Sequence, residues 1–585
     1  MKRIKLLLGA LTLCTTVALT AQELTGKKAT LNEDGTFTTE TVDLPPYTNA
    51  ENSMAVDLLF SFGKPANPGI KNSRGATLAD INNDGVEEII YGIDTTLYAL
   101  DGDGNILFEK TVLGPILLPP TVVDLDDDGN MEIIINTGYP TTVGRLYVTD
   151  GQGVDLPGWP LNFNDNWMIN APAVADLDGD GTLDIIAGER AGSTQGFVHA
   201  LNIDGTSINA GYPVEIPATP AFTPSIGDID NDGNKDLVIA ASSAGMYAFD
   251  NQGNVLTGFP VVDPTVRYSY QSPILVDLDG DEDLEIVGSN HGDAAAFYVM
   301  NHDGTYYPGW PLARNEWTYS PATVADIDND GTYEIFMGDK SVSGTGDPLP
   351  TIFGLTPSAT DIPNFPIEKY GGNEGVLSIA DINNDDVLDI IFTSNVTDMD
   401  GNGYLHAYST DGSGEIDGFP LRPRGFTFLN SAVLGDVDGD GMMDLTSNSY
   451  TLTFGAGVDS TFVNSYNLNV PYNADKIIRN GYKGNNFRDG LVEEVPLDVN
   501  EVLGNVSISI SPNPSDGSVT LMLPSAMENA SVKIYSIDGK EVFSEETKIL
   551  QNEGLTYNFR KFSSGLYFIN ISDGTKTFTG KWIKN

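Results

Sequence analysis

Cysteine is almost missing from this chain: 585 residues contain one, Cys14. It lies in residues 1–21, where Lys2, Arg3 and Lys5 flank the start of an apolar run from Ile4 to Leu19 that ends near the small residue Ala21. Those are the marks of a secretory signal peptide, removed on export and too short to persist as a spanning helix. A lipoprotein anchored through Cys14 is disfavoured by the bulky Leu13 before it and the apolar residues after it. The exported chain is therefore expected to hold together without disulfides and to lack thiol nucleophiles and cysteine zinc sites. Basic residues are scarce too: 30 Lys plus Arg stand against 82 Asp plus Glu, a formal charge of −52. Such a field repels nucleic acid and anionic lipid, which excludes both as partners. Beyond the leader no run approaches the ~18 apolar residues of a membrane helix, so no transmembrane helix is expected. Only four histidines occur, and no GxSxG, HExxH, phosphate-loop or dinucleotide fingerprint appears. With Gly 63 and Pro 33 and few long helical patterns, the remainder points to a turn-rich, all-β chain.

What the chain has in excess is acid, and the acid is patterned. A run of the form Asp176-Leu-Asp-Gly-Asp-Gly-Thr-Leu-Asp184 is written eight times, with starts at residues 80, 124, 176, 228, 277, 326, 381 and 436, spaced 44 to 55 apart. Spacing of that kind marks a repeat architecture. Oxygen-bearing side chains fall at positions 1, 3, 5 and 9 of each copy. They are Asp80, Asn82, Asp84 and Glu88 in the first, then Asp124, Asp126, Asp128 and Glu132, then Asp176, Asp178, Asp180 and Asp184. Next come Asp228, Asp230, Asp232 and Asp236, followed by Asp277, Asp279, Asp281 and Glu285 and by Asp326, Asp328, Asp330 and Glu334. Asp381, Asn383, Asp385 and Asp389, and finally Asp436, Asp438, Asp440 and Asp444, complete the set. Alternating acids, with a glycine that lets the chain double back, supply the six to eight oxygens that a hard cation such as calcium takes at about 2.3–2.6 Å. An EF-hand is excluded, because its loop needs a Glu at position 12, where this chain has Ala187 and Ile239, and a helix on either side. The flanks here are short, β-branched and bounded by Pro and Gly, so each loop joins two strands. Up to eight Ca²⁺ are expected. The weakest loops are those where Glu282 and Asp386 replace the glycine at position 6, and Asn82 and Asn383 lower the charge of theirs.

Each repeat continues with the same order. A strand leaves the loop, a third alternates apolar and aromatic residues (Leu97 to Leu100, Phe197 to Leu201, Phe297 to Met300), and a fourth segment ends in Gly-aromatic-Pro, as at Trp159, Tyr212, Phe259, Trp310 and Phe419. Four short antiparallel strands per unit of about 50 residues match the blade of a β-propeller. Eight loops imply eight blades; seven, with one loop off the ring, is the alternative. The aromatic of the fourth segment, recurring once per unit, reads as blade-to-blade packing rather than a sugar platform. The run Met54–Gly63 is strand-like and placed to complete the last unit, while residues 22–53 read as an extended leader.

The acidic loops followed by aromatic strands resemble the FG-GAP/VCBS repeats of integrin α-subunit propellers and of many bacterial surface proteins, over residues 54–480. The resemblance implies a calcium-binding propeller with the ion held between the first two strands of a blade; in the third copy it implies Asp176, Asp178, Asp180, the carbonyl of Thr182, and Asp184 as ligands. Residues 481–504 break the repeat and read as a linker. From residue 505 a small β domain, 505–585, restarts with alternating strands and turns at Asp538-Gly and Asp573-Gly. Its Pro512-Asn-Pro-Ser-Asp-Gly517, Val532 to Gly539 and Gly565-Leu-Tyr-Phe568 segments, with Lys581 and Lys584 at the end, are similar to the C-terminal sorting domain of type IX secretion in Bacteroidetes. That implies a β-sandwich recognised by the secretion machinery, export across the outer membrane, and removal of the domain. An ordinary carbohydrate-binding β-sandwich is the alternative for this segment.

No catalytic constellation emerges. His199 and His406 occupy a third-strand slot held by Tyr elsewhere and read as packing residues. Arg267, Tyr268, Tyr270, Arg314, Trp317, Arg422 and Arg424 lie in segments leading to the next blade, where a propeller face could gather an anionic or glycan ligand. The expectation is a secreted or surface-anchored, calcium-stabilised, non-catalytic binding or adhesion module for glycan or protein ligands. The alternatives are a polysaccharide lyase, since some calcium-containing propellers are lyases, and a structural spacer.

Overall fold

The computed structural model describes residues 24–31, 37–44, 56–66, 74–139, 142–242, 245–268, 272–314, 318–340, 348–452 and 459–492. In the C-terminal unit it describes 509–513, 515–522, 527–536, 540–549, 554–563, 565–572 and 577–584. The signal-peptide reading, Tyr270, Trp317, and the turns at Asp538 and Asp573 lie outside these residues. The chain divides into two compact units, residues 1–492 and 493–585. Among the described residues the elements are β-strands and two single 3₁₀ turns, Ala474–Lys476 and Tyr482–Gly484, and no helix is long and apolar enough to cross a membrane.

In the first unit each acidic loop joins the first two strands of a separate antiparallel sheet, giving a propeller-like all-β arrangement. The first strands are short and buried on both faces, as in Thr77–Ala79, Ala173–Ala175 and Thr323–Ala325, and their small or β-branched residues suit that position. Successive sheets share cores. Ala79, Ile90 and Ala99 of the first pack with Val122, Ile133 and Tyr147 of the second, and Ile391 and Leu405 of the seventh pack with Leu434 and Leu445 of the eighth. The eighth then packs on the first, Val433 and Val463 lying with Leu78, Ile89 and Tyr91. Backbone pairing closes the same junction: Asp57–Pro65 runs antiparallel to Ser460–Pro471, the third strand of the last sheet. The Gly-aromatic-Pro residues reach across these junctions. Trp159 donates from Nε1 to the Ile203 carbonyl at 2.9 Å and Trp310 to that of Pro357 at 2.8 Å, while Tyr212 donates to the Asp250 carbonyl at 3.0 Å.

Two segments do more than their polar sequences suggest. Within the stretch read as leader, Leu24–Leu31 and Phe37–Leu44 form a hairpin, and Leu24–Leu31 also pairs with Val396–Asp398. Residues 477–492, which run from the end of the repeat region into the stretch 481–504 read as a linker, contact the first-strand region of each of the eight sheets that carry an acidic loop. Ile477–Arg479 pairs with Ser378–Ala380, Arg479 donates to the Val324 carbonyl at 2.7 Å, and Asn480 exchanges two hydrogen bonds of 2.8 Å with the Leu434 backbone. Lys483 donates to Ser225 Oγ and the Pro273 carbonyl at 2.6 and 2.7 Å. Asn486 donates to the Leu78 carbonyl, and Arg488 bridges Thr77 Oγ1 and the Pro120 carbonyl at 2.7 and 2.8 Å. The backbone carbonyls of Phe487, Asp489 and Gly490 accept from Val174, Ile226 and Leu275. First strands leave unpaired N–H and C=O groups on their free edge, and this one segment supplies partners at or beside each of the eight.

The C-terminal unit holds a three-stranded sheet (Ser509–Ser511, Ser518–Met522, Leu555–Asn558) and a four-stranded one (Glu541–Ile549, Met527–Ser536, Gly565–Ser572, Thr577–Lys584). Val519 and Leu521 of the first share a core with Val532, Ile534, Ile569 and the fully buried Trp582 of the second.

Candidate metal centres

The acidic loops are built alike. Position 9 opens the second strand or lies near its start, paired with the residue just before position 1: Ala79 with Glu88, Ala175 with Asp184, Gly435 with Asp444, and likewise in the other five. One of its carboxylate oxygens accepts the position 2 N–H at 2.8–3.1 Å in all eight loops. The position 1 carboxylate accepts the N–H of position 6 at 2.8–3.1 Å. Position 5 accepts that of position 7 at 2.7–3.1 Å. Backbone donors thus fix three carboxylates per loop before any ligand arrives.

Among the described residues six groups of acids converge closely enough to hold a metal ion, each offering oxygens within 4.8 Å of one another. Five are Asp124, Asp126 and Glu132; Asp176, Asp178 and Asp184; Asp228, Asp230 and Asp236; Asp277, Asp279 and Glu285; and Asp326, Asp328 and Glu334. Positions 1, 3 and 9 come together in these; position 5 stands outside each group. The second oxygens of Asp184, Asp389 and Asp444, and Oδ1 of Asp436, are buried with no hydrogen-bond partner. Acceptors gathered without donors fit a cation. The electrostatics agree: burial first, then the neighbouring acids, push the position 9 carboxyl up to about 7 in Glu88, Glu132, Asp184, Asp236, Glu334 and Asp444. The same causes take Glu285 and Asp389 to about 8.

Sequence reasoning passed over position 4. It is left-handed in every loop, at Asn83, Asp127, Gly179, Asn231, Gly280, Asn329, Asn384 and Gly439, and only the residue types that tolerate that conformation occur there. Position 6 is left-handed too, even where Glu282 (φ 74°) and Asp386 (φ 65°) replace glycine. Lys476 was also invisible. Its ammonium donates to Asp381 Oδ2 at 2.6 Å, Asn384 Oδ1 at 2.7 Å and Asp386 Oδ1 at 3.0 Å. Burial would raise the Asp381 carboxyl, but bonds from Lys476 and from the loop backbone outweigh it and hold it below its ordinary value.

The residues outside the loops are engaged internally. His199 bonds Glu189 at 2.7 Å and lies 4.0 Å from the Phe163 ring, and His406 bonds Glu415 at 2.6 Å; both are buried, as the packing reading requires. Arg314 pairs with Asp339 and stacks 4.0 Å over Phe353. Arg422 pairs with Asp398 at 2.6 Å and sits 3.9 Å over Tyr404, while Arg424 lies 5.6 Å from Phe462. Tyr268 is buried and Arg267 is exposed.

Residues 124–187, 228–288 and 277–337 match the FG-GAP-like repeat, and residues 509–585 match the secretion system C-terminal sorting domain. The chain carries FG-GAP repeats and ends in a type IX sorting domain. The first, seventh and eighth loops lie outside the matched FG-GAP segments yet share the register of the rest. Among solved structures, the V. cholerae biofilm matrix protein Bap1 is 13% identical, with a TM-score of 0.33 over 70% of this chain and 89% of that one. Quinohemoprotein alcohol dehydrogenase from Comamonas testosteroni is 12% identical, with a TM-score of 0.42 over 73% and 79%. The sorting domain implies recognition by type IX machinery and export to the cell surface or secretion, and FG-GAP repeats behind such a tail are consistent with a surface binding module.

Proposed function

We propose that residues 54–492 form an eight-bladed propeller whose loops hold calcium, and that residues 505–585 are a removable β-sandwich tag. On this reading the mature protein is a non-catalytic binding or adhesion module for glycan or protein ligands at the cell surface. The observation that carries the reading is the shared construction of the loops. Eight carboxylate-lined turns sit in one register on consecutive sheets, the last packed on the first, with buried acceptor oxygens lacking donors at Asp184, Asp389, Asp436 and Asp444. Calcium there would neutralise the crowded acids and hold the first two strands of a blade together. The site residues are those at positions 1, 3, 5 and 9 in each loop. A glycan array run beside a lyase assay on anionic polysaccharides tests this: saturable binding without an unsaturated product supports it, and absorbance from a new double bond overturns it.

One cluster favours a second, enzymatic reading. Glu374 is 1% exposed with neither carboxylate oxygen hydrogen-bonded. Burial raises it to about 8 against the pull of Lys340, Lys28 and Arg74, and the Arg74 guanidinium donates to the backbone carbonyl of Glu374 at 2.9 Å. A lyase needs a base beside cations that stabilise a carboxylate-bearing sugar. Under that reading Glu374→Gln abolishes product formation.

A further inference from the structure

Seven of the acidic loops have no Lys or Arg ion pair to their position 1 carboxylate among the described residues; the seventh in sequence, 381–389, does. The ammonium of Lys476 has three N–H donors, and each meets a loop oxygen: Asp381 at position 1, Asn384 at position 4 and Asp386 at position 6. The lysine is placed, not free. It ends the 3₁₀ turn Ala474–Lys476, capped by Asn473, whose side chain accepts the Asp475 N–H. Its backbone carbonyl accepts the Asp381 N–H at 3.0 Å, and the next residue, Ile477, pairs with Ala380. The segment that crosses all eight first strands therefore begins by fastening a cation to this loop.

The loop differs from the others in the way such a cation requires. Position 3 is Asn383, as it is Asn82 in the first loop, and its amide donates to Asp385 at 3.0 Å. Position 6 is Asp386, an acid where most loops have glycine, and its carboxylate is one of the oxygens on the ammonium. The position 1 side chain is 3% exposed in Asp381. Asp389 keeps its bond to the Ile382 N–H at 3.1 Å and its second, unbonded oxygen, so the inner wall of the cage is intact and the ammonium meets the loop at positions 1, 4 and 6.

We infer that Lys476 serves the 381–389 loop as a built-in cation, so that this loop holds its conformation without the divalent ion on which the others depend. The inference rests on the calcium reading of the remaining loops. It also assigns a role to Asp386: the acid accepts the ammonium while adopting the left-handed backbone that glycine takes elsewhere.

Hydrogen exchange read peptide by peptide on the full chain, with calcium and after chelation, tests it. Chelation is expected to speed exchange about ten-fold or more in the peptides spanning 124–132, 176–184 and 326–334 and to leave 381–389 unchanged, exchange reporting local opening free energy. Lys476→Met makes 381–389 respond to chelation like the others, and Lys476→Arg, which keeps the charge, does not. A wild-type 381–389 peptide that loses protection with the rest overturns the inference and leaves the calcium reading standing. A Lys476→Met loop that stays insensitive overturns the role of the lysine. If no loop responds to chelation, the calcium reading fails and this inference falls with it.

Discussion

Glu282 and Asp184 show how far single residues govern the loops. Glu282 takes φ 74° with a Cβ that crowds the backbone there, and the left-handed conformation costs a non-glycine residue about 1–2 kcal/mol. Its carboxylate recovers part of that by accepting from Asn231 at 2.9 Å on the surface. Glu282→Gly should therefore raise stability by about 1 kcal/mol after the added freedom of the unfolded chain is set against the relief; a urea titration in calcium measures it, and a lowered midpoint refutes it. Asp184 is the opposite case. Asparagine there retains an oxygen for the Leu177 N–H but loses the charge, so Asp184→Asn should release one bound ion. With calcium at 100 times the dissociation constant, that removes about 2.7 kcal/mol of linkage stabilisation. Ion counting together with the melting temperature checks it: an unchanged ion count sinks the assignment. The pattern at positions 1, 3, 5 and 9 was legible because the same residue types recur in eight copies, and the structure gathers positions 1, 3 and 9. Position 4 was equally written, as Asn, Asp or Gly throughout, and was missed because its role is a backbone angle rather than a side-chain contact.

At the scale of elements, strands were legible wherever hydrophobic periodicity marked them, and segments stabilised mainly by partners distant in sequence were not. Residues 481–492 break the repeat pattern and carry three glycines, Gly481, Gly484 and Gly490, left-handed in the structure, so they read as part of the linker 481–504. Their bonds run to residues up to 411 positions away, as from Arg488 to Thr77, and no local pattern encodes those. Arg488 is 2% exposed and feeds the carbonyls of Pro120 and Tyr482 at 2.8 and 2.9 Å. Removing it strands buried acceptors at about 1–3 kcal/mol each, so Arg488→Met should cost about 3 kcal/mol in urea unfolding. The truncation series is sharper. A chain stopped after Val492, where the first compact unit ends, should unfold in one cooperative transition. A chain stopped after Tyr472 leaves the edges of all eight first strands unpaired and should aggregate or melt broadly. Equal behaviour of the two would show that the segment is dispensable.

For the whole molecule, the acids that specify the loops also work against the fold until a cation joins them. The chain carries a formal charge of −52, and the position 9 carboxyls stand at about 7 or 8 because burial and neighbouring acids penalise their ionised form. Each binds its proton more tightly folded than unfolded. Between the ordinary carboxylate range near pH 4 and about pH 7 the native state therefore holds the greater number of protons, and stability falls as pH rises through that window. The chelated protein should melt highest near pH 4–5 and lower at pH 8. Calcium inverts this, because it binds only the ionised carboxylates and displaces the protons; the loaded protein should gain stability from pH 5 to pH 8 and release protons on binding. Two melting series across that range, with and without chelator, decide the matter. Parallel curves would mean that the loop acids are not metal ligands, whatever their number and register, and would leave their crowding as a cost with no compensating ion.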